Sequence, residues 1–121
     1  MNTEKTQELY EKALNWIYRS KFHHVKAKVE PFEGPKAFHR SKDDLTFTPD
    51  ITAERGGKKF YFDIAIKDEA HRQLAGKWQL MQRLASIKGG KLFLLAPHGH
   101  KAFTERIVGT FGIEAKIVNL A

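Results

Sequence analysis

The stretch 47–67, FTPDITAERGGKKFYFDIAIK, limits the possible folds of this chain more than any other. Two runs of alternating character flank Gly56-Gly57, the signal of a hairpin closed by a two-residue turn whose central residues need positive φ. With the glycines as the turn, Arg55 pairs with Lys58. Glu54 then faces Lys59, Thr52 faces Tyr61, Asp50 faces Asp63 and Thr48 faces Ala65. The other face receives Phe47, Pro49, Ile51 and Ala53 from one strand and Phe60, Phe62, Ile64 and Ile66 from the other. A slip of one residue would move both aspartates onto that apolar face, so the hydrophobic pattern fixes the register.

Directly opposed carboxylates are an odd choice for a hairpin. Their Cβ atoms lie about 4.5–5.5 Å apart, and like charges there destabilise the pair. At about 5 Å two unit charges repel by roughly 3 kcal/mol at an effective dielectric of about 20, and by less than about 1 kcal/mol in open water. On a solvated face, with Lys59 and Lys67 as diagonal partners, the pair is tolerable. Beneath a helix, either one carboxyl keeps a proton or a cation sits between them. Hard cations such as Mg²⁺ take oxygen ligands from one or two carboxylates and keep several waters. That arrangement suits phosphate-ester hydrolysis.

The rest of the chain supplies a frame for the hairpin. Residues 4–19 read as a helix started by Thr3, with Leu9, Ala13, Trp16 and Ile17 on its apolar stripe. Residues 22–30 alternate, Val25, Ala27 and Val29 against His24, Lys26, Lys28 and Glu30, as a strand does. The segment 31–44 reads as a polar loop. Strands at about 45–54 and 58–67 follow, then a helix at 69–88 with Ala70, Leu74, Trp78, Met81 and Ala85 on one side. KLFLLAP (91–97) is a continuous apolar run, expected to be a strand buried on both faces. A short helix (101–110) and a last strand (114–120) complete the order α-β-β-β-α-β-α-β. This order predicts one α/β domain over 1–121, a mixed five-stranded sheet with helices packed on it. Trp16 and Trp78 lie on apolar stripes and read as core residues.

Charge points to the partner. The formal net charge is +7, and it is uneven: residues 1–69 carry 13 Lys/Arg and 12 Asp/Glu, residues 70–121 carry 8 and 2. A basic half suits a polyanion, nucleic acid before an anionic membrane surface. The chain has no cysteine, which excludes a disulfide framework, a thiol nucleophile and a Cys-based zinc site. The first residues show no apolar signal-peptide core, and no run reaches the length of a membrane span. A cytoplasmic protein with no membrane partner is therefore expected.

Pro49-Asp50 on one strand and Asp63 on the next, after an α-β start, resemble the PD-(D/E)XK nuclease superfamily. The resemblance implies the restriction-endonuclease-like fold, a three-layer α/β/α arrangement. It also implies an endonuclease that hydrolyses phosphodiester bonds in DNA with Mg²⁺ or Mn²⁺. Asp50 and Asp63 match the metal ligands. The family's lysine position falls on Ala65, a departure. Lys67, on the same face and about 6.6 Å further along the strand, and Lys77 in the following helix are the candidates for a relocated lysine. Glu11, with Glu8 close behind, is the candidate first-helix acid. Arg72 and Arg83, on a polar side of the 69–88 helix, and His98 and Lys101, at a helix start, are candidate phosphate contacts. His98 and His100 read as loop residues rather than a metal pair, and His23-His24 carries less signal still. Because of Ala65, a second reading stands beside the first: a catalytically inactive member that binds nucleic acid or protein, as a homodimer or with a partner protein. A basic α/β domain unrelated to nucleases is the third.

Overall fold

The computed structural model describes residues 5–120. Its elements are α1 (Gln7–Arg19), β1 (His23–Ala27), β2 (Phe38–Arg40), β3 (Leu45–Phe47), β4 (Ile51–Arg55), β5 (Lys58–Ile64), α2 (His71–Ile87), β6 (Gly89–Pro97), α3 (Lys101–Phe111) and β7 (Lys116–Leu120). Five strands form one mixed sheet in the order β1-β4-β5-β6-β7. The β1–β4 and β4–β5 pairs are antiparallel, and β5–β6 and β6–β7 are parallel. The parallel pairs are joined through α2 and α3, as parallel neighbours require a crossover.

The hairpin closes as its sequence dictates. Gly56 and Gly57 have φ of 62° and 76°, and the register runs Arg55↔Lys58, Glu54↔Lys59, Thr52↔Tyr61 and Ile51↔Phe62. The two faces separate cleanly. Ile51, Ala53, Phe60, Phe62, Ile64 and Ile66 pack with Tyr10, Ala13, Leu14 and Ile17 of α1. Tyr61 and Ala65 pack with Ala75, Trp78, Met81 and Ala85 of α2 and with Phe103 and Ile107 of α3. A 13-residue helix is marginal alone in water. Burial of α1's apolar side chains, roughly 1.5–3 kcal/mol for each large one, holds it in place.

Three differences from the sequence-based expectation have local causes. The strand expected at 45–54 is broken: β3 ends at Phe47 and β4 starts at Ile51. Pro49 has no N–H for a ladder and keeps Thr48 extended, so the chain leaves the sheet there. β3 pairs instead with β2, which lies inside the segment expected to be loop. The break swings Phe47 off the face of Ile51, so that it packs with Tyr61 and Phe38 on the α2 side. The second difference is the helix start. Thr6 caps α1 by accepting from the Leu9 N–H, and Thr3 lies outside the described residues. Tyr10 and Leu14 join Ala13 and Ile17 as fully buried residues, and Leu9 and Trp16 pack partly buried against the same cluster. Third, β5 ends at Ile64, short of Lys67.

β6 is buried from Leu92 to Pro97, matching a strand covered on both faces. At its start Gly90 lies so close to β5 that an added Cβ would collide with the Lys59 carbonyl. Among the described residues, no helix is long and apolar enough to cross a membrane.

Candidate functional site

Where the chain leaves the sheet before β4, the Asp50 side chain takes over part of the ladder. The Asp50 main-chain carbonyl accepts from the Lys28 N–H, and its side-chain Oδ2 accepts from the Ile64 N–H at 2.9 Å. The β4–β5 register brings Asp63 alongside. Both carboxylates are buried, Asp50 1% and Asp63 0% exposed. The solvated face, with Lys59 and Lys67 as diagonal partners, is therefore not what forms. α2 covers the pair, and other lysines compensate it.

Each carboxylate oxygen has a donor. Lys5 Nζ bridges the pair, 2.6 Å from Asp50 Oδ2 and 3.4 Å from Asp63 Oδ1. Lys77 Nζ, from α2, stands 3.2 Å from Asp63 Oδ1. Trp78 Nε1, on the same helix, donates to Asp63 Oδ2 at 2.8 Å. Tyr10 donates its hydroxyl to Asp50 Oδ1 at 3.2 Å, and Lys28 Nζ lies 3.5 Å from that oxygen. A buried charge survives only when paired and hydrogen-bonded. Among the described residues no buried side-chain polar atom lacks a partner.

The two acids differ in strength. Burial and then the neighbouring Asp63 charge push Asp50 above the ordinary carboxylate range. Burial pushes Asp63 the same way, but the ammoniums of Lys5 and Lys77 outweigh it and hold Asp63 below that range. Lys5 is disfavoured by burial, yet the two carboxylates raise it above an ordinary lysine. Lys28 is lowered, by burial first, and Asp50 only partly offsets this. Burial, then Asp50, raises the Tyr10 phenol and keeps it a donor.

The three ammoniums form part of the wall of an open cavity of about 500 Å³, with Lys67, Gln73 and the β3 residues Leu45–Phe47 further round. The carboxylates lie behind them. Seen from solvent, the cavity presents the ammoniums, and the buried carboxylates are not part of its lining.

The sequence-derived candidates divide. Asp50, Asp63 and Lys77 come together. Lys67 reaches the cavity wall but lies beyond the end of β5, exposed, with its N–H donating to His100 Nδ1 at 2.9 Å. Glu11 is exposed and, among the described residues, makes no hydrogen bond or ion pair with either aspartate; Glu8 is exposed too, 3.8 Å from Lys12. The α1 side chain that meets Asp50 is Tyr10. Arg72, Arg83, His98 and Lys101 are exposed residues of α2 and of the β6–α3 junction, and none lines the cavity. Ala65 is fully buried among α2 residues; a lysine there would have no solvent, and α2 places Lys77 beside Asp63. The sequence reading missed Lys5, Tyr10, Lys28 and the polar role of Trp78. Its one available signal was chemical: two buried carboxylates demand donors, and an indole can pack in a core and still donate.

A scan against protein-family models, a search of curated proteins and a search of solved structures each return no match for this chain. Function has to be read from the site itself.

Proposed function

We propose that this chain is a metal-dependent phosphodiester hydrolase acting on nucleic acid, DNA first, of the PD-(D/E)XK kind and with its restriction-endonuclease-like, three-layer α/β/α arrangement. The observation that carries the reading is the buried carboxylate pair, Asp50 just before β4 and Asp63 in β5, set behind three lysine ammoniums on an open cavity. Asp50 and Asp63 offer hard oxygen donors of the sort Mg²⁺ or Mn²⁺ takes, and the cavity leaves room for the waters such ions keep. With Lys5, Lys28 and Lys77 charged, the site already carries one positive charge in excess. Lys5, which precedes α1 and is about a quarter exposed (24%), is the ammonium that would yield its place between the carboxylates to a divalent ion.

A divalent ion held by Asp50 and Asp63 would supply Lewis acidity toward a phosphoryl oxygen. The chain's own groups do the rest. Lys77, anchored to Asp63 on a helix, orients the attacking water and offsets charge developing on the phosphate. Lys28 and Lys67 draw the phosphate backbone to the mouth. The test is nicking of supercoiled plasmid with Mg²⁺ or Mn²⁺. Cleavage that needs metal and is lost in Asp63→Asn supports the reading; clean protein inert on duplex, flap and junction DNA and on RNA refutes it.

One observation favours a second reading. Lys5 already bridges both carboxylates as a cation would. If that ammonium is permanent, the domain is an inactive relative that binds nucleic acid or protein. It would then bind DNA with a steep salt dependence and show no thermal stabilisation by Mg²⁺ or Mn²⁺.

A further inference from the structure

His23 and His24 open β1, where strand alternation should send adjacent rings to opposite faces. The backbone prevents this. His24 has φ of 51°, in the left-handed region, which few residues other than glycine adopt, although histidine is among the more tolerant. The β1–β4 pairing also slips between His23 and Lys26. Both rings therefore lie together, centroids 4.7 Å apart and inclined at 70°. Glu54 is the pairing partner of His23 on β4. One ligand atom from each of His23, His24 and Glu54 lies within 4.8 Å of the other two.

The spacing is informative. His24 Nδ1 and Glu54 Oε1 are 3.5 Å apart, too long for a strong hydrogen bond. A tetrahedral ion with bonds of about 2.0–2.1 Å holds its ligand atoms about 3.4 Å apart. Two imidazoles and one carboxylate suit Zn²⁺, Ni²⁺ or Cu²⁺, whereas Mg²⁺ prefers oxygen throughout. The two histidines are exposed and Glu54 half-buried, so water can fill the remaining positions. Glu54 is four residues from Asp50, about 13 Å along an extended strand, which separates the cluster from the aspartate pair.

We propose that His23, His24 and Glu54 bind a transition-metal dication of the Zn²⁺ class. Lys59, the cross-strand partner of Glu54 on β5, opposes the ion and sets its affinity below that of a site free of cations.

The experiment is titration of the full chain, free of any histidine tag, with Zn²⁺ by calorimetry, in millimolar Mg²⁺ to saturate the aspartates. Co²⁺ absorption serves as a second readout of geometry. One equivalent should bind. His23→Ala and Glu54→Gln should each weaken it by about tenfold or more, with circular dichroism unchanged because these side chains are at the surface and His23 has no left-handed φ to lose. Lys59→Gln should tighten it. His39→Ala removes another exposed His–carboxylate contact, His39 to Asp44 at 2.8 Å, and should change nothing. Absence of saturable Zn²⁺ binding overturns the proposal. So does wild-type affinity in both His23→Ala and Glu54→Gln, or loss of the equivalent in His39→Ala.

Discussion

Removing the Lys5 ammonium tests whether the aspartate pair is a cation seat. In Lys5→Ala the carboxylates lose one short charged contact, 2.6 Å, and one long one, 3.4 Å. A hydrogen bond to a charged group contributes roughly 1.5–3 kcal/mol, and breaking a fully buried pair costs about 3–5 kcal/mol. Lys5 is 24% exposed, and Lys77 and Lys28 remain, so the lower range applies: about 2 kcal/mol. For a domain of this size that lowers the melting temperature by roughly 6–10 °C without metal. With metal the sign reverses. The ion no longer has to displace an ammonium, so its affinity should rise by about the same free energy, about 30-fold. Melting curves across a Mn²⁺ titration measure both effects, since stabilisation grows as the logarithm of ligand over Kd. Wild type should need about 30 times more Mn²⁺ than Lys5→Ala for the same rise. Equal metal response in the two proteins would refute the shared seat. An unchanged metal-free melting temperature would refute the bridging contact itself.

Three further outcomes follow from the geometry. Lys77→Ala should abolish nicking or cut it at least about 100-fold, whereas Lys67→Ala should mainly raise the DNA concentration needed; the reverse order would return the water-orienting role to the strand lysine. In acid, Asp63 is held below its unfolded value of about 3.9, so the unfolded chain binds its proton first and stability falls as pH drops from about 4 toward the lower folded value. Denaturant melts over that window should show a shallower loss in Asp63→Asn; an identical slope would remove Asp63 from the acid response. Gly90→Ala forces a methyl against the Lys59 carbonyl and should destabilise by about 3 kcal/mol through the β5–β6 pairing, which a shifted denaturant midpoint would reveal and an unshifted one would contradict.

The hairpin was legible because its signals are local. Gly56-Gly57 permits the turn, and period-two alternation fixes which residues share a face, so the Thr52–Tyr61 pairing follows from sequence alone. β6 was legible for a similar reason, as an unbroken apolar run needs cover on both sides. The mixed five-stranded sheet with three helices was likewise readable from the order of those periods. The β3–β4 break and the β2 strand were harder, since three-residue strands carry little pattern and Pro49 marks a break without saying where the chain goes next.

Only the tertiary structure decided what meets Asp50 and Asp63. Lys5, 45 residues before Asp50, and Tyr10 arrive because α1 docks on one side of the sheet. Lys77 and Trp78 arrive because α2 docks on the other. His23 and His24 share a side only because one residue takes a left-handed φ. The chain encodes local backbone preference in neighbouring residues and face in periodicity. The partners of a buried charge are encoded in neither, because they depend on how separate elements pack, and on the requirement that a carboxylate taken out of water find its donors wherever that packing brings them.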